Sequence, residues 1–241
     1  QALRATGGPD SQVGITLNLS PIHPATSSPE DVAAARRQDG ALNRWFLDPL
    51  FLGKYPDDMV ALLGPASPTT QAGDMDLIRQ PIDFLGINNY TRMVVRHEPG
   101  ANAIHTGEAP PRGPGHQYTE MGWEVYPDGL YEILTRVARD YPPIPLYVTE
   151  NGAAFADRLD DGRVDDPDRV AYLRGYTAAA ARSIADGVPL KGYFCWSLMD
   201  NFEWAWGFTR RFGIVYVDFP TQRRVIKSSG YWYRDLIASC R

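Results

Sequence analysis

Four apolar segments of β-rich composition occur along the chain, and a segment with helical character follows each of them. The strand-like segments cover residues 13–20, 82–91, 144–150 and 190–199. The helical segments run from Ser28 to near Pro56, and over residues 128–140, 166–186 and 228–239. Alternation of strand and helix predicts a parallel sheet with right-handed crossovers, which is an α/β fold. A further hairpin-like pair is predicted near residues 207–219.

The number of strand–helix units conflicts with the length of the chain. A length of 241 residues suits one complete eight-stranded barrel, but the sequence contains four units and no internal repeat. An open four-stranded sheet is one alternative, and a half-barrel whose edge strands lack partners fits better. Residues 1–5 also resemble the end of a helix that has already begun. We therefore interpret residues 1–241 as a single domain that forms the second half of a larger structure.

The composition excludes several classes of function. The chain is 44% hydrophobic with a net charge of −5, so it lacks the basic excess of nucleic-acid-binding proteins. No apolar stretch approaches the ~20 residues that span a bilayer, and no signal peptide is visible. We expect neither nucleic acid nor membrane as a partner. Cys195 and Cys240 are predicted to be free thiols, which favours a cytoplasmic location. Secretion stays open because the chain begins with Gln1 and not with Met.

Polar and aromatic residues end three of the predicted strands, where barrel enzymes carry their catalytic groups. The second strand ends with Asn88 and Tyr90, and the third ends with Glu150. The fourth leads into Trp196 and the tryptophan-rich segment 200–206. Each residue has a structural explanation by itself, as a turn former or a core residue, but coincidence at three strand ends is less favoured. Amides and carboxylates bind vicinal hydroxyls and indoles stack on sugar rings, so the set indicates a sugar pocket.

These residues resemble those of the family 1 glycoside hydrolases, the β-glucosidases and their relatives. The resemblance covers nearly the whole chain, at residues 18–22, 43–51, 84–91, 122–123, 149–152 and 196–204. The motifs Thr-Glu-Asn-Gly at 149–152 and Trp-Ser-Leu-Met-Asp-Asn-Phe-Glu-Trp at 196–204 are the most recognisable. The resemblance implies the C-terminal half, strands five to eight, of a (β/α)8 TIM barrel. It also implies a retaining β-glycosidase that hydrolyses terminal, non-reducing β-D-glycosyl residues.

The resemblance assigns catalytic roles to individual residues. It implies that Glu150 is the nucleophile, which attacks the anomeric carbon and forms a covalent glycosyl–enzyme. Tyr90 corresponds to a hydroxyl that hydrogen-bonds this nucleophile, and Asn88 lies beside it. A donor to a carboxylate stabilises its charged form, which a nucleophile requires. The family further implies a cis peptide bond between Trp196 and Ser197, which turns the indole into the pocket.

The resemblance implies substrate contacts as well. Glu203 corresponds to the carboxylate that binds the O4 and O6 hydroxyls of the terminal sugar, with the Trp204 indole beside it. Trp196 corresponds to the wall between the glycone and aglycone sites, and Phe212 to an aromatic residue beside the glycone. The expected substrates are β-glucosides or cello-oligosaccharides.

The entrance to the pocket is expected on segment 92–127. This connection is long and no regular structure is predicted in it, and such connections are usually functional or disordered. Trp123 in this segment is implied to line the entrance, where the preference for a leaving group is set.

One part of the family's active site has no counterpart in the chain. Retaining glycosidases use two carboxyl groups about 5–5.5 Å apart. The family's acid/base lies in an Asn-Glu-Pro motif, which the sequence lacks. Glu203 does not replace it, because that carboxylate faces hydroxyls remote from the scissile bond. We therefore expect an N-terminal half-barrel polypeptide as a partner.

Two alternatives to the glycosidase remain. The first is a non-catalytic sugar-binding half-barrel, which is disfavoured because a binding protein has no use for a nucleophile with its tyrosine. The second is a 6-phospho-β-glycosidase, which is disfavoured because the Glu203 carboxylate would repel a phosphate.

No cofactor and no metal site are predicted. The four histidines show no metal-ligand spacing. The acidic turn at residues 157–168 lacks the EF-hand pattern and is interpreted as a solvated loop. Trp45 and Trp232 fall on helix faces and are interpreted as core residues.

Overall fold

The computed structural model describes residues 2–8 and 10–240, which form both strands and helices. The strands are β1 (Gly14–Asn18), β2 (Ile22–Pro24), β3 (Phe84–Asn88), β4 (Met93–His97), β5 (Thr106–Glu108), β6 (Leu146–Asn151), β7 (Leu190–Cys195), β8 (Val215–Asp218) and β9 (Arg223–Ile226). The helices are α1 (Ala2–Thr6), α2 (Pro29–Asp39), α3 (Trp45–Leu52), α4 (Asp57–Leu63), α5 (Asp74–Ile78), α6 (Asp128–Asp140), α7 (Pro167–Ala185) and α8 (Ser228–Ser239). Within these described residues, no helix combines the length and the apolar character needed to cross a membrane.

The main sheet contains β1, β3, β6 and β7 in this spatial order, and every neighbouring pair is parallel. These are the four strands predicted from the sequence, each shorter than predicted. α6 connects β3 to β6 and α7 connects β6 to β7, so the predicted alternation is confirmed. β2, β4 and β5 form a smaller second sheet. Because the main sheet is parallel, the carboxyl ends of its strands lie along one edge.

The pattern of apolar residues in α6 explains where the core lies. Leu130, Ile133, Leu134 and Val137 recur at helical spacing, and all four are buried. They pack in one cluster with residues of β3, β6 and α7, namely Leu85, Ile87, Leu146, Val148, Leu173 and Tyr176. On each strand these core residues are two positions apart, so one face of the sheet is buried under the helices.

Apolar side chains are exposed at both ends of the main sheet. β1 and β7 are its terminal strands. Ile15 on β1 is exposed, and Phe194 on β7 is 56% exposed. Phe46 on α3 and Leu198 after β7 are exposed as well. Parallel sheets are normally covered on both faces, so these surfaces suit the addition of further strands.

The helical segment predicted from Ser28 to near Pro56 consists of three parts. Ser28 caps α2, because its side chain accepts a hydrogen bond from the Asp31 N–H at 3.2 Å. A π-helical turn (Gly40–Arg44) then leads into α3. This last helix ends at Gly53, whose φ of 70° is a left-handed conformation that glycine adopts without steric cost.

The hairpin predicted near residues 207–219 lies further along the chain, so this prediction is wrong. The observed hairpin is formed by the antiparallel strands β8 and β9. The residues before β8 bind the segment after β7 instead. The Ser197 N–H donates to the Phe212 carbonyl at 3.2 Å, and the Ile214 N–H donates to the Ser197 carbonyl at 2.9 Å. Because these backbone groups are already paired, the hairpin begins only at Val215.

The two tryptophans predicted in the core are half-buried. Trp45 stacks on Tyr55 with ring centroids 4.6 Å apart. Trp232 packs against the main apolar cluster. Cys195 is half-buried and Cys240 is exposed, and both are free thiols.

Candidate active site

The carboxyl ends of β3, β6 and β7 bring several predicted site residues together. Asn88, the last residue of β3, pairs with Glu150 on β6. Trp196 follows β7 directly, and its peptide bond to Ser197 is cis, as the resemblance implies. Gly152 allows the close approach of this bond, because a Cβ atom there would lie 1.7 Å from the Trp196 carbonyl oxygen. The glycine that follows the strand is therefore required by packing at the site.

Glu150 is bound by Tyr90. The Tyr90 hydroxyl donates a hydrogen bond to Glu150 Oε2. Burial, together with the Glu150 carboxylate, raises the pKa of Tyr90, so this hydroxyl keeps its proton and remains a donor. The Tyr90 ring lies 5.2 Å from the Trp123 ring and 6.3 Å from the Phe212 ring, between centroids. The carboxylate therefore lies beside an aromatic wall that suits the face of a sugar ring.

Asn88 is oriented by its neighbour on β6. Its Oδ1 accepts a hydrogen bond from Thr149 Oγ1 at 2.7 Å. Because the oxygen of the amide is engaged there, the Nδ2 group lies on the other side of the amide and is available as a donor.

Glu203 lies on the loop after β7 and is close enough to Glu150 for their charges to interact. Burial raises the pKa of Glu203, and the negative charge of Glu150 raises it further. Trp204 differs from its neighbour, because 82% of its surface is exposed. The structure thus brings Glu203 and Phe212 to the Glu150–Tyr90 pair and leaves the Trp204 indole in solvent.

Segment 92–127 contains regular structure, contrary to the prediction. It includes β4 and β5, and β4 pairs with β2, whose distance along the chain hides this pairing from local sequence patterns. Arg92 binds Glu124 through two hydrogen bonds of 2.8 and 3.0 Å, which join the start of the segment to its end. A cavity of about 340 Å³ lies beside the segment, and both Tyr90 and Trp123 line it. The segment therefore borders the candidate site, as the sequence predicts.

A buried ionic network anchors the loop after β7. Its members are three carboxylates and three cations: Asp157, Asp166, Asp200, Arg169, Arg211 and Lys227. Lys227 donates to Asp157 and Asp200, and Arg169 donates to Asp157 and Asp166. The interpretation of residues 157–168 as a solvated loop is therefore wrong for Asp157 and Asp166, which are buried in this network. The acidic run is visible in the sequence. Its pairing with Lys227 cannot be read from the sequence, because Lys227 lies 70 residues from Asp157.

Two of the four histidines take part in hydrogen bonds with glutamates. His23 contacts Glu132 and His116 contacts Glu124, each at 2.7 Å. In residues 2–8 and 10–240, no group of three or more His, Cys, Asp or Glu side chains is arranged to hold a metal ion.

Comparison with known proteins gives one consistent result. A model of glycosyl hydrolase family 1 matches residues 2–241. Beta-glucosidase A of Acetivibrio thermocellus is 42% identical to this chain, and the match covers 95% of this chain and 51% of that protein. The 1,4-beta-D-glucan glucohydrolase of Thermotoga neapolitana is 44% identical over the same 95%, and the match again covers 51%. The chain spans about half the length of the curated relatives it matches.

Solved structures agree with this result. The GH1 beta-glucosidase from Exiguobacterium antarcticum B7 is 40% identical with a TM-score of 0.92, over 98% of this chain and 53% of that one. The family 1 beta-glucosidase from Thermotoga maritima is 42% identical with a TM-score of 0.90, and the match covers 95% of this chain and 51% of that one. The Thermotoga maritima beta-glucosidase has also been solved in complex with glucoimidazole. That structure is 42% identical to this chain with a TM-score of 0.91, and the match covers 98% of this chain and 52% of that one. The four-stranded sheet and its helices are thus part of a (β/α)8 barrel.

Proposed function

Because this chain belongs to glycosyl hydrolase family 1, we propose that it forms the nucleophile-bearing part of a retaining β-glycosidase. The observation that carries the proposal is the hydrogen bond from Tyr90 to Glu150, made where β3 and β6 end side by side. A carboxylate with a half-buried hydroxyl donor and an aromatic wall is suited to attack a sugar. A site that only binds sugar would not need this arrangement.

Glu150 acts as the nucleophile in the proposed reaction. One of its carboxylate oxygens bonds to the anomeric carbon while the bond from that carbon to the leaving-group oxygen breaks. A carboxylic acid about 5–5.5 Å away protonates the leaving oxygen, and the glycosyl–enzyme is then hydrolysed by water, with net retention of configuration. We assign that acid to the N-terminal half of the barrel.

Tyr90 and Asn88 support this nucleophile. The hydrogen bond from Tyr90 stabilises the charged carboxylate and fixes the oxygen that receives it, leaving the other oxygen for attack. The amide of Asn88, oriented by Thr149, supplies a donor on the same edge of the sheet. We propose that this donor binds a hydroxyl of the sugar.

The remaining residues of the site hold the terminal sugar. We propose that Glu203 accepts hydrogen bonds from its O4 and O6 hydroxyls. Trp196 and Phe212 bound the sugar, and Trp204 closes on it from its exposed position. The proposed substrates are β-glucosides or cello-oligosaccharides with a terminal β-D-glucosyl residue. The Glu203 carboxylate disfavours a 6-phosphorylated sugar, because the two negative charges repel each other.

We also propose that β1, β3, β6 and β7 are strands five to eight of the barrel. Residues 1–241 then form one domain that a complementary N-terminal half-barrel completes, as one polypeptide or as two. Three observations support this: the relatives are about twice as long, β1 and β7 end the sheet, and apolar side chains are exposed along both. Trp123 then lies at the mouth of the completed pocket and contacts the leaving group.

The experiment compares two glutamate variants in the complete barrel, with this chain joined to its N-terminal half. Glu150→Gly should abolish hydrolysis of an activated aryl β-glucoside, and added azide should restore release of the phenol. The product should be the α-glycosyl azide, because the anion attacks from the vacated side.

The matched control is Glu203→Gly, which removes a carboxylate of the same site. It should weaken catalysis through lost sugar contacts, and azide should not rescue it. In the unmodified protein, a 2-deoxy-2-fluoro β-glucoside with a good leaving group should label the peptide that contains Glu150. Label on another residue, or azide rescue at position 203 instead of 150, would show that the assignment is wrong.

A further inference from the structure

Two buried tyrosines of α7 bind the main chain at Tyr90. The hydroxyls of Tyr172 and Tyr176 lie 3.1 and 2.9 Å from the Tyr90 carbonyl oxygen, and both donate to it. The two residues are four positions apart, so they lie on one face of α7, and their rings stack with centroids 4.1 Å apart. Tyr172 is 1% exposed and Tyr176 is fully buried. These contacts are therefore shielded from water, where a hydrogen bond constrains geometry most strongly.

The same cluster reaches the residue that follows Glu150. Asn151 is fully buried, and its Nδ2 donates to the Tyr172 hydroxyl at 3.1 Å and to the Asn89 carbonyl at 2.7 Å. Its Oδ1 accepts a hydrogen bond from the Tyr193 hydroxyl at 2.5 Å. The Tyr172 hydroxyl thus accepts from the residue after Glu150 and donates to the carbonyl of Tyr90. The Tyr172 hydroxyl oxygen therefore connects the segment that carries Tyr90 with the segment that carries Glu150.

This connection matters because Tyr90 lies outside the strands. β3 ends at Asn88, and its backbone pairing with β6 continues only to the Asn89 N–H, which donates to the Glu150 carbonyl at 3.0 Å, so Tyr90 itself lies beyond the ladder. Glu150, in contrast, belongs to β6. The backbone bond at Asn89 holds the two segments together but leaves the Tyr90 main chain itself without a partner in the ladder, so a second link fixes its position more closely. The Tyr172 hydroxyl provides that link, because it bonds both to Asn151 and to the Tyr90 carbonyl.

We propose that Tyr172 is a positioning residue, whose hydroxyl sets the spacing between the Tyr90 hydroxyl and the Glu150 carboxylate. The proposal rests on the proposed function of Glu150 as the nucleophile. Tyr172 acts through Tyr90 and does not contact the sugar. Tyr176 shares the Tyr90 carbonyl but has no hydrogen bond to Asn151, so its contribution is smaller.

The test uses the complete barrel and an activated aryl β-glucoside. Tyr172→Phe should lower kcat by about tenfold, since a small misplacement of reacting groups has a large effect on rate, and KM should change by less than about twofold. Tyr141→Phe is the matched control. Its buried hydroxyl donates to Asp48 at 2.6 Å, and it lies before β6, away from the carboxyl ends of the strands. This variant should keep its kcat within about twofold of the unmodified protein.

A second comparison separates positioning from a structural role. In a Tyr90→Phe background there is no hydroxyl for Tyr172 to position, so Tyr172→Phe should cost less than about twofold further in kcat. Tyr176→Phe repeats the measurement in both backgrounds with a smaller loss. If Tyr172→Phe does not yield folded protein, Tyr176→Phe in the two backgrounds serves as the test.

Three results would overturn the inference: an equal loss of kcat in the two backgrounds, an equal loss in the Tyr141→Phe control, or no loss at all. Azide rescue of Glu150→Gly is measured on the same preparation. If rescue occurs and the loss is equal in both backgrounds, the inference about Tyr172 fails while the proposed function stands. If rescue is absent, the proposed function fails, and the inference fails with it.

Discussion

Lys227 is the residue whose replacement tests the buried network most directly. Its side chain is fully buried, and its Nζ donates to Asp157 and, at 2.9 Å, to Asp200. Replacement by Met keeps most of the volume and removes the charge. Burial and the nearby Arg169 lower the pKa of Lys227, and the two aspartates oppose this effect. The network is close to neutral with Lys227 charged, and it has an excess negative charge without it.

The expected loss of stability follows from what the two aspartates retain. Asp157 keeps two hydrogen bonds from Arg169, both 2.8 Å long. Asp200 keeps Arg211 at 2.6 Å and the backbone N–H groups of Gly213 and Val217. Removing one partner of a buried ion pair costs about 3–5 kcal/mol. Because both carboxylates keep other donors, we expect the lower end, about 3 kcal/mol.

The assay is urea unfolding of the complete barrel, followed by tryptophan fluorescence. A loss of this size should lower the midpoint by about 1 M urea. Lys54→Met is the control, because Lys54 pairs with Asp57 on the surface, and it should barely move the midpoint. Adding Asp200→Asn to Lys227→Met should recover part of the loss, since it removes the excess negative charge of the network. A midpoint for Lys227→Met equal to that of the control would refute the reasoning.

Two further predictions concern assembly and pH. Alone, this chain should aggregate, and co-expression with the N-terminal half should give a compact complex instead. If the chain alone sediments as a monomer and unfolds cooperatively, this prediction is wrong. Burial alone would raise the pKa of Asp39, but hydrogen bonds from Arg136, Asn43 and Arg44 outweigh it and lower that pKa. Its contribution to stability is therefore present above the ordinary value of 3.8 and lost as the pH falls through the lowered one. Asp39→Asn should make the acid dependence of unfolding free energy shallower by at most about 1.4 kcal/mol per pH unit, and an unchanged slope would contradict the assignment.

Much of the fold follows from short-range patterns in the sequence. Apolar residues at helical spacing predict α6, and the side chain of Ser28 together with a following proline predicts the start of α2. Alternation of strand and helix predicts a parallel sheet, which in turn predicts that Asn88 and Glu150 meet at one edge. These inferences hold because each depends on neighbours within a few residues or on a general rule of chain connection.

Some predictions failed where the partner lies far along the chain. The sequence places the hairpin too early, because the backbone before β8 pairs with Ser197 and not with the next strand. The sequence predicts no regular structure in segment 92–127, and this is wrong because β4 finds its partner in β2, far away along the chain.

The order of the elements, the strand ends at which a site is built, and the carboxylate at the end of the third predicted strand all follow from the sequence alone. Which polar groups are buried, and what they bind, depends on the folded chain. Asp157 looks like a surface residue until Lys227 and Arg169 meet it in the folded chain. Tyr172 looks like a core residue until its hydroxyl is seen between Tyr90 and Asn151. Burial makes a polar group costly unless a partner satisfies it, and that partner is chosen by the fold and not by distance along the sequence.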